Sequence, residues 1–174
     1  MKRVHIAGVA VAFAAGVVVG VAASSPKSAP ALYTGKTPKE AAAALLAVAE
    51  AQAGKGSWEN IAVARAYILM GDTAKGGQIL DHVVAGKTKG NDWIRIGRLW
   101  HEAGDWAKAK AAFEKALALE PDDAEYQAEV GGWYNLGGDR ARAEELFAKS
   151  FAKKPDEVWN TLNVAGSYVG VEPQ

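Results

Sequence analysis

The sequence predicts an all-α protein built as a stack of antiparallel helix pairs, and three observations carry that prediction. One skeleton of small and aromatic residues occurs twice, 34 residues apart. Trp93, Ile96, Gly97, Trp100, Gly104, Ala109, Phe113, Ala116 and Pro121 are answered by Val130, Gly131, Tyr134, Gly138, Ala143, Phe147, Ser150 and Pro155. Self-similarity at such a period marks a helix–turn–helix array whose units bury their apolar faces against one another. Both copies are also punctuated as helix pairs require, with Gly104-Asp105 and Gly138-Asp139 in the middle and proline at the close. Finally, the apolar fraction of 49% is rich in alanine, which suits closely packed helices better than a sheet.

Each repeated residue has a packing or stopping role. Gly97 and Gly131 fall early in first helices, Ala109 and Ala143 early in second helices. Their small side chains let two backbones approach, at a helix-propensity cost of about 1 kcal/mol for each glycine relative to alanine. Trp100, Tyr134, Phe113 and Phe147 supply the bulk that fills the space around them. Gly104 and Gly138 end the first helices in a left-handed conformation, and Asp105 and Asp139 cap the second. Pro121 and Pro155 end the second helices, with Asp122, Asp123 and Asp156 as caps for the next helix in each case.

In this order the residues resemble the tetratricopeptide repeat pattern W-x2-L-G-x2-Y, then A-x3-F, then P. Residues 90–123 match with Ile96 for Leu and Trp100 for Tyr, and 124–157 match with Gln127 in place of the leading aromatic. A degenerate copy at 57–89 keeps Val63, Ala64, Tyr67, Gly71, Asp72, Gly76, Leu80 and Val83 but is one residue short, with Thr88 where proline is expected. A closing half-copy at 158–170 holds Val164, Ala165 and Tyr168. Ahead of them, segment 37–56 reads as a lead-in helix from Pro38 to about Ala53, opened by a capping box at Thr37 and Glu40. The resemblance implies a right-handed superhelical stack (a solenoid) whose first helices line a concave groove, and it implies protein binding rather than catalysis.

The N-terminus reads as an address. Lys2 and Arg3 precede an apolar run from Val4 to Ala23. Val21-Ala22-Ala23 before Ser24 suits cleavage of a secretory signal peptide. The length of about twenty residues suits a spanning anchor helix instead, and Gly16 and Gly20 give it a GxxxG spacing. Either reading puts the repeats on the periplasmic or secreted side, and the membrane is touched only through residues 1–23 if they are retained. Residues 24–36 are rich in Ser, Pro and Ala and read as a flexible linker.

Composition excludes several classes of function. Lysine plus arginine equals aspartate plus glutamate at 20 each, so no basic excess favours nucleic acid. There is no cysteine, hence no disulfide, thiolate nucleophile, sulfur-bound zinc or N-terminal lipid anchor. His82 and His101 sit in different helices without metal-ligand spacing, and the acids at 122, 123 and 125 are explained as helix caps. Gly131-Gly132 and Gly137-Gly138 lack the preceding strand and following Gly-Lys-Ser/Thr of a phosphate loop. No metal, cofactor or catalytic residue is expected.

The family resemblance places groove-facing side chains at the second, fifth, ninth and twelfth residues of each repeat. These are Trp58, Ile61, Arg65 and Ile68; Asn91, Ile94, Arg98 and His101; then Glu125, Ala128, Gly132 and Asn135; and in the closing helix Trp159, Leu162 and Gly166. Arg95 lies one helical turn from Arg98. The arginines are candidates to grip a carboxylate of a bound peptide, with the isoleucines and Trp58 as apolar contacts. The competing account pairs them with local acids, for example Arg98 with Glu102. A lysine-and-asparagine clamp of the kind some family members use is not matched, since its places hold Ile61, Arg65, Arg95, Glu125 and Glu129. Trp106 and Trp133 fall outside the groove set and read as lids or convex-face contacts.

The expected function is a non-catalytic adaptor that binds a protein or peptide partner in the groove, exported or inner-membrane-anchored. The alternatives are a self-associating homo-oligomeric scaffold of a membrane complex, or an accessory subunit of an envelope or cytochrome c maturation system, to whose repeat proteins the layout is similar.

Overall fold

The computed structural model describes residues 26–174, so the expected signal or anchor at 1–23 lies outside the described residues. Among the described residues there are eight α-helices, no strand, and no helix long and apolar enough to cross a membrane. The helices are α1 (Pro38–Ala53), α2 (Ser57–Leu69), α3 (Thr73–Val84), α4 (Gly90–Glu102), α5 (Trp106–Leu119), α6 (Ala124–Leu136), α7 (Arg140–Lys153) and α8 (Val158–Ser167). A short 3-10 turn, Pro30–Leu32, precedes them.

Local chemistry explains where each helix begins and ends. Thr37 and Glu40 form the reciprocal capping box that opens α1. Three turns are built alike: Gly71, Gly104 and Gly138 take φ of 98°, 77° and 86°. The amide after each glycine reaches back across the turn, Asp72 N to Tyr67 O (2.9 Å), Asp105 N to Trp100 O (2.8 Å) and Asp139 N to Tyr134 O (2.9 Å). The same aspartates then accept from the backbone N–H of Lys75, Lys108 and Arg142, capping α3, α5 and α7. Asp123 caps α6 as expected. Asp156 does not cap α8; Glu157 does, because it sits at the N-cap position and its carboxylate reaches Trp159 N at 3.1 Å.

The helices pack as pairs α2–α3, α4–α5 and α6–α7, with α1 against α2 and α8 against α6. Within each of the last two pairs a glycine of the first helix lies under an aromatic of the second. A Cβ on Gly97 would collide with the Phe113 ring, and one on Gly131 would stand 2.6 Å from Phe147 Cε1. Two apolar clusters run through the stack, bridged by the half-buried rings of Trp93 and Trp100. Trp133 is buried in one of them, stacked on Phe113 at 6.0 Å, so it is neither a lid nor a convex-face contact. Trp106 does close an inter-helix turn: its ring covers Gly137 and meets Tyr134 edge-on at 5.4 Å. Where Thr88 replaces proline, its hydroxyl accepts from Trp93 Nε1 at 3.1 Å, tying the linker to α4.

Candidate functional site

The predicted groove residues separate into groups. Trp58, Ile61, Arg65, Arg95 and Arg98 come together around a surface cavity of about 200 Å³ between α2 and α4. Asn91, Glu125 and Trp159 line another, of about 310 Å³, between α4, α6 and α8. Ile68, Ile94, His101 and Asn135 line neither.

In the first cavity Ile61 and Leu99 are buried and form the floor. The Arg95 guanidinium lies over the Trp58 ring at 3.7 Å, close enough for a cation–π contact. Arg95 belongs to none of the ion pairs formed among the described residues, and its Nε is buried without a hydrogen-bond partner. Arg65 and Arg98 are already engaged. Arg65 holds Glu102 with two bonds of 2.5 Å, and Arg98 holds Glu129 Oε1 from Nε (3.0 Å) and Nη2 (2.6 Å). Each arginine thus reaches to the first helix of the next pair, α2 to α4 and α4 to α6. The expected Arg98–Glu102 pair within one helix is replaced by this inter-repeat ladder, because stacking brings the next helix's carboxylate within reach of both guanidinium donors.

Ile68 and Ile94 are core residues, 6% and 2% exposed, so the expectation that they contact a ligand is corrected. Ile68 packs against Gly76 of α3, and Ile94 lies in the apolar cluster that holds Phe113 and Ala116 of α5. His101 is held in an aromatic cluster, 4.9 Å from the Trp133 ring and edge-on to Trp106 at 5.9 Å. Asn135 donates to Ser167 Oγ at 3.0 Å and fastens α6 to α8. Gly132 is covered as well: Pro173, from the segment after α8, folds back onto it so that a Cβ there would lie 2.6 Å from the proline ring. The closing helix and its following segment therefore occupy the third repeat's share of the groove.

The second cavity carries residues that the repeat positions did not single out: Tyr126, Glu129, Glu157, Asn160 and Asn163. Burial, and then the carboxylates of Asp123, Glu120 and Glu129, push the Tyr126 phenol above its ordinary value. The only sequence signal for Asn160 is its register, 34 residues after Tyr126 and 68 after Asp92. Among the described residues no group of three or more histidines, aspartates and glutamates is placed to hold a metal ion.

Stacked helix pairs that present one face of paired cavities define a helical-repeat scaffold. The Tetratricopeptide repeat family model matches residues 91–123, which span α4, α5 and the turn between them. Residues 91–123 thus form a tetratricopeptide repeat, a module that typically binds other proteins without catalysis. No curated protein and no solved structure matches the chain.

Proposed function

We propose that the chain is an adaptor without catalytic activity, whose first-helix face, the concave side of a right-handed superhelix, binds a segment of a partner protein on the extracytoplasmic side. One observation carries this most directly: the Trp58–Arg95 stack. It offers an exposed indole and a guanidinium with no carboxylate of its own above an apolar floor of Ile61 and Leu99. Tryptophan and arginine side by side over an apolar floor are what interface hot spots favour. Arg65 and Arg98 frame the cavity and, through their acids, hold the pairs in register.

The test is capture of the partner by a photo-crosslinker at Ala62, which is exposed and lines the cavity. Trp58→Ala with Arg95→Glu is expected to lower capture at least about thirtyfold, as loss of a hot spot worth about 2 kcal/mol implies, with the far-UV circular dichroism unchanged. Equal capture by the folded variant refutes the groove. Export through residues 1–23 is tested separately, by intact mass and by protease accessibility in whole cells; a chain held on the cytoplasmic side refutes it.

A second reading, the self-associating scaffold, rests on the open side of α8, where Trp159, Leu162 and Val169 stand exposed around a cavity of about 470 Å³. Sedimentation of the parent and of Leu162→Glu decides it: a dimer lost in the variant supports the scaffold, and a parent that stays monomeric rejects it.

A further inference from the structure

The two cavities of the first-helix face have opposite chemistry. The larger is lined by the carboxylates of Glu125, Glu129 and Glu157, and neither lysine nor arginine lines it. Lys154 holds Glu125 at 2.9 Å and Arg98 holds Glu129 at 2.6 Å, both from outside that lining. The Glu157 carboxylate accepts from Trp159 N in capping α8 and takes part in none of the ion pairs among the described residues. Acids alone would be an ordinary solvated face.

Asn160 makes the difference. It lines the same cavity, is 1% exposed, and has no hydrogen-bond partner for either Nδ2 or Oδ1. Buried carboxamides are nearly always paired, since water is given up and nothing replaces it. The contrast with Asp92, at the same place in the second repeat and 2% exposed, is direct. Asp92 accepts from Ser57 Oγ at 2.8 Å and from Lys89 N at 2.9 Å, so its burial is matched by partners within the chain. Asn160 has no such partners within the chain.

We propose that this cavity is a subsite for an arginine side chain of the bound segment. The inference rests on the groove reading above, because it needs a segment laid along the same face. A guanidinium has five N–H donors in one plane, enough to serve Asn160 Oδ1 and the Glu157 carboxylate together. Its flat face stacks on the exposed Trp159 ring, as Arg95 stacks on Trp58 within this chain. A backbone carbonyl of the same segment supplies the acceptor that Asn160 Nδ2 lacks. A lysine ammonium fits less well, being a compact, strongly hydrated charge without a stacking face.

The probe is N-acetyl-arginine amide, titrated into the full chain while the side-chain NMR signals of Trp159, Asn160 and Trp58 are followed. The neutral isostere N-acetyl-citrulline amide is the control. Saturable shifts at Trp159 and Asn160, about tenfold weaker for citrulline and about tenfold weaker in Glu157→Gln, support the subsite, the factor being that of one charge-assisted hydrogen bond. The glutamine keeps an oxygen for the α8 cap, so folding is preserved. Absence of saturation, equal binding of citrulline, or shifts confined to Trp58 overturn it. Arginine binding at α8 with no crosslink at Ala62 overturns the groove reading alone, and the reverse result overturns the subsite alone.

Discussion

Two adjacent glycines on α3 give a direct test of how the helix pairs are held. Gly76 and Gly77 both lie within the helix, yet a Cβ added to each would meet very different surroundings. At Gly76 it would stand 2.7 Å from the Ala64 carbonyl oxygen of α2 and crowd the Ile68 side chain, whereas at Gly77 it would meet nothing within 4 Å. Alanine adds about 1 kcal/mol of helix propensity at either position. At Gly76 that gain is opposed by overpacking of about 1–3 kcal/mol, because the obstacle is backbone and cannot rotate away. Gly77→Ala is therefore expected to stabilise the protein and Gly76→Ala to be less stable than Gly77→Ala by about 1–3 kcal/mol. A difference of about 2 kcal/mol corresponds to melting temperatures about 4–8 °C apart in a chain of this size. Urea and thermal unfolding followed by circular dichroism measure it. Equal stability of the two variants would refute the close approach of α3 to α2.

The inter-repeat ladder predicts unequal couplings. In double-mutant cycles read by urea unfolding, Arg98–Glu129, with side chains 34% and 13% exposed, should show about 1 kcal/mol, and Arg65–Glu102, at 51% and 39%, under about 0.5 kcal/mol; the reverse order would contradict the burial of Glu129. On α7, hydrogen bonds from Lys149 and then Arg142 pull the Glu145 carboxyl down to about 2 from its ordinary 4.5. A depressed carboxyl stabilises the fold above its unfolded value, and that contribution is lost as pH falls from about 4.5 through about 2. Glu145→Gln should consequently lose less stability than the parent over that interval of acid unfolding, and identical pH profiles would show that these contacts do not persist in solution.

Much of the fold was legible because its determinants are local. Gly104 with Asp105, and Gly138 with Asp139, specify a left-handed turn followed by a cap whatever surrounds them. The pairing of Gly97 with Phe113, and of Gly131 with Phe147, comes from a fixed separation along two helices joined by a short turn. The site was legible only in part. Trp58, Arg65, Arg95 and Arg98 do share a cavity, but repeat position alone could not say that Arg65 and Arg98 carry carboxylates from the next pair while Arg95 carries none. Ile68 and Ile94 were misplaced because a small rotation of a helix about its axis decides between floor and core. Asn160 escaped notice because its repeat register alone does not say that its carboxamide is buried without a partner.

The sequence by itself determined the helices, their caps and the small-against-large contacts inside each pair, since these depend on residues near one another along the chain and on backbone preferences acting at short range. Tertiary structure alone decided which acid each arginine meets, the fold-back of Pro173 over Gly132 and the unpaired burial of Asn160. Those outcomes depend on the angle and offset at which one pair lies on the next, summed from many weak contacts that no single residue announces.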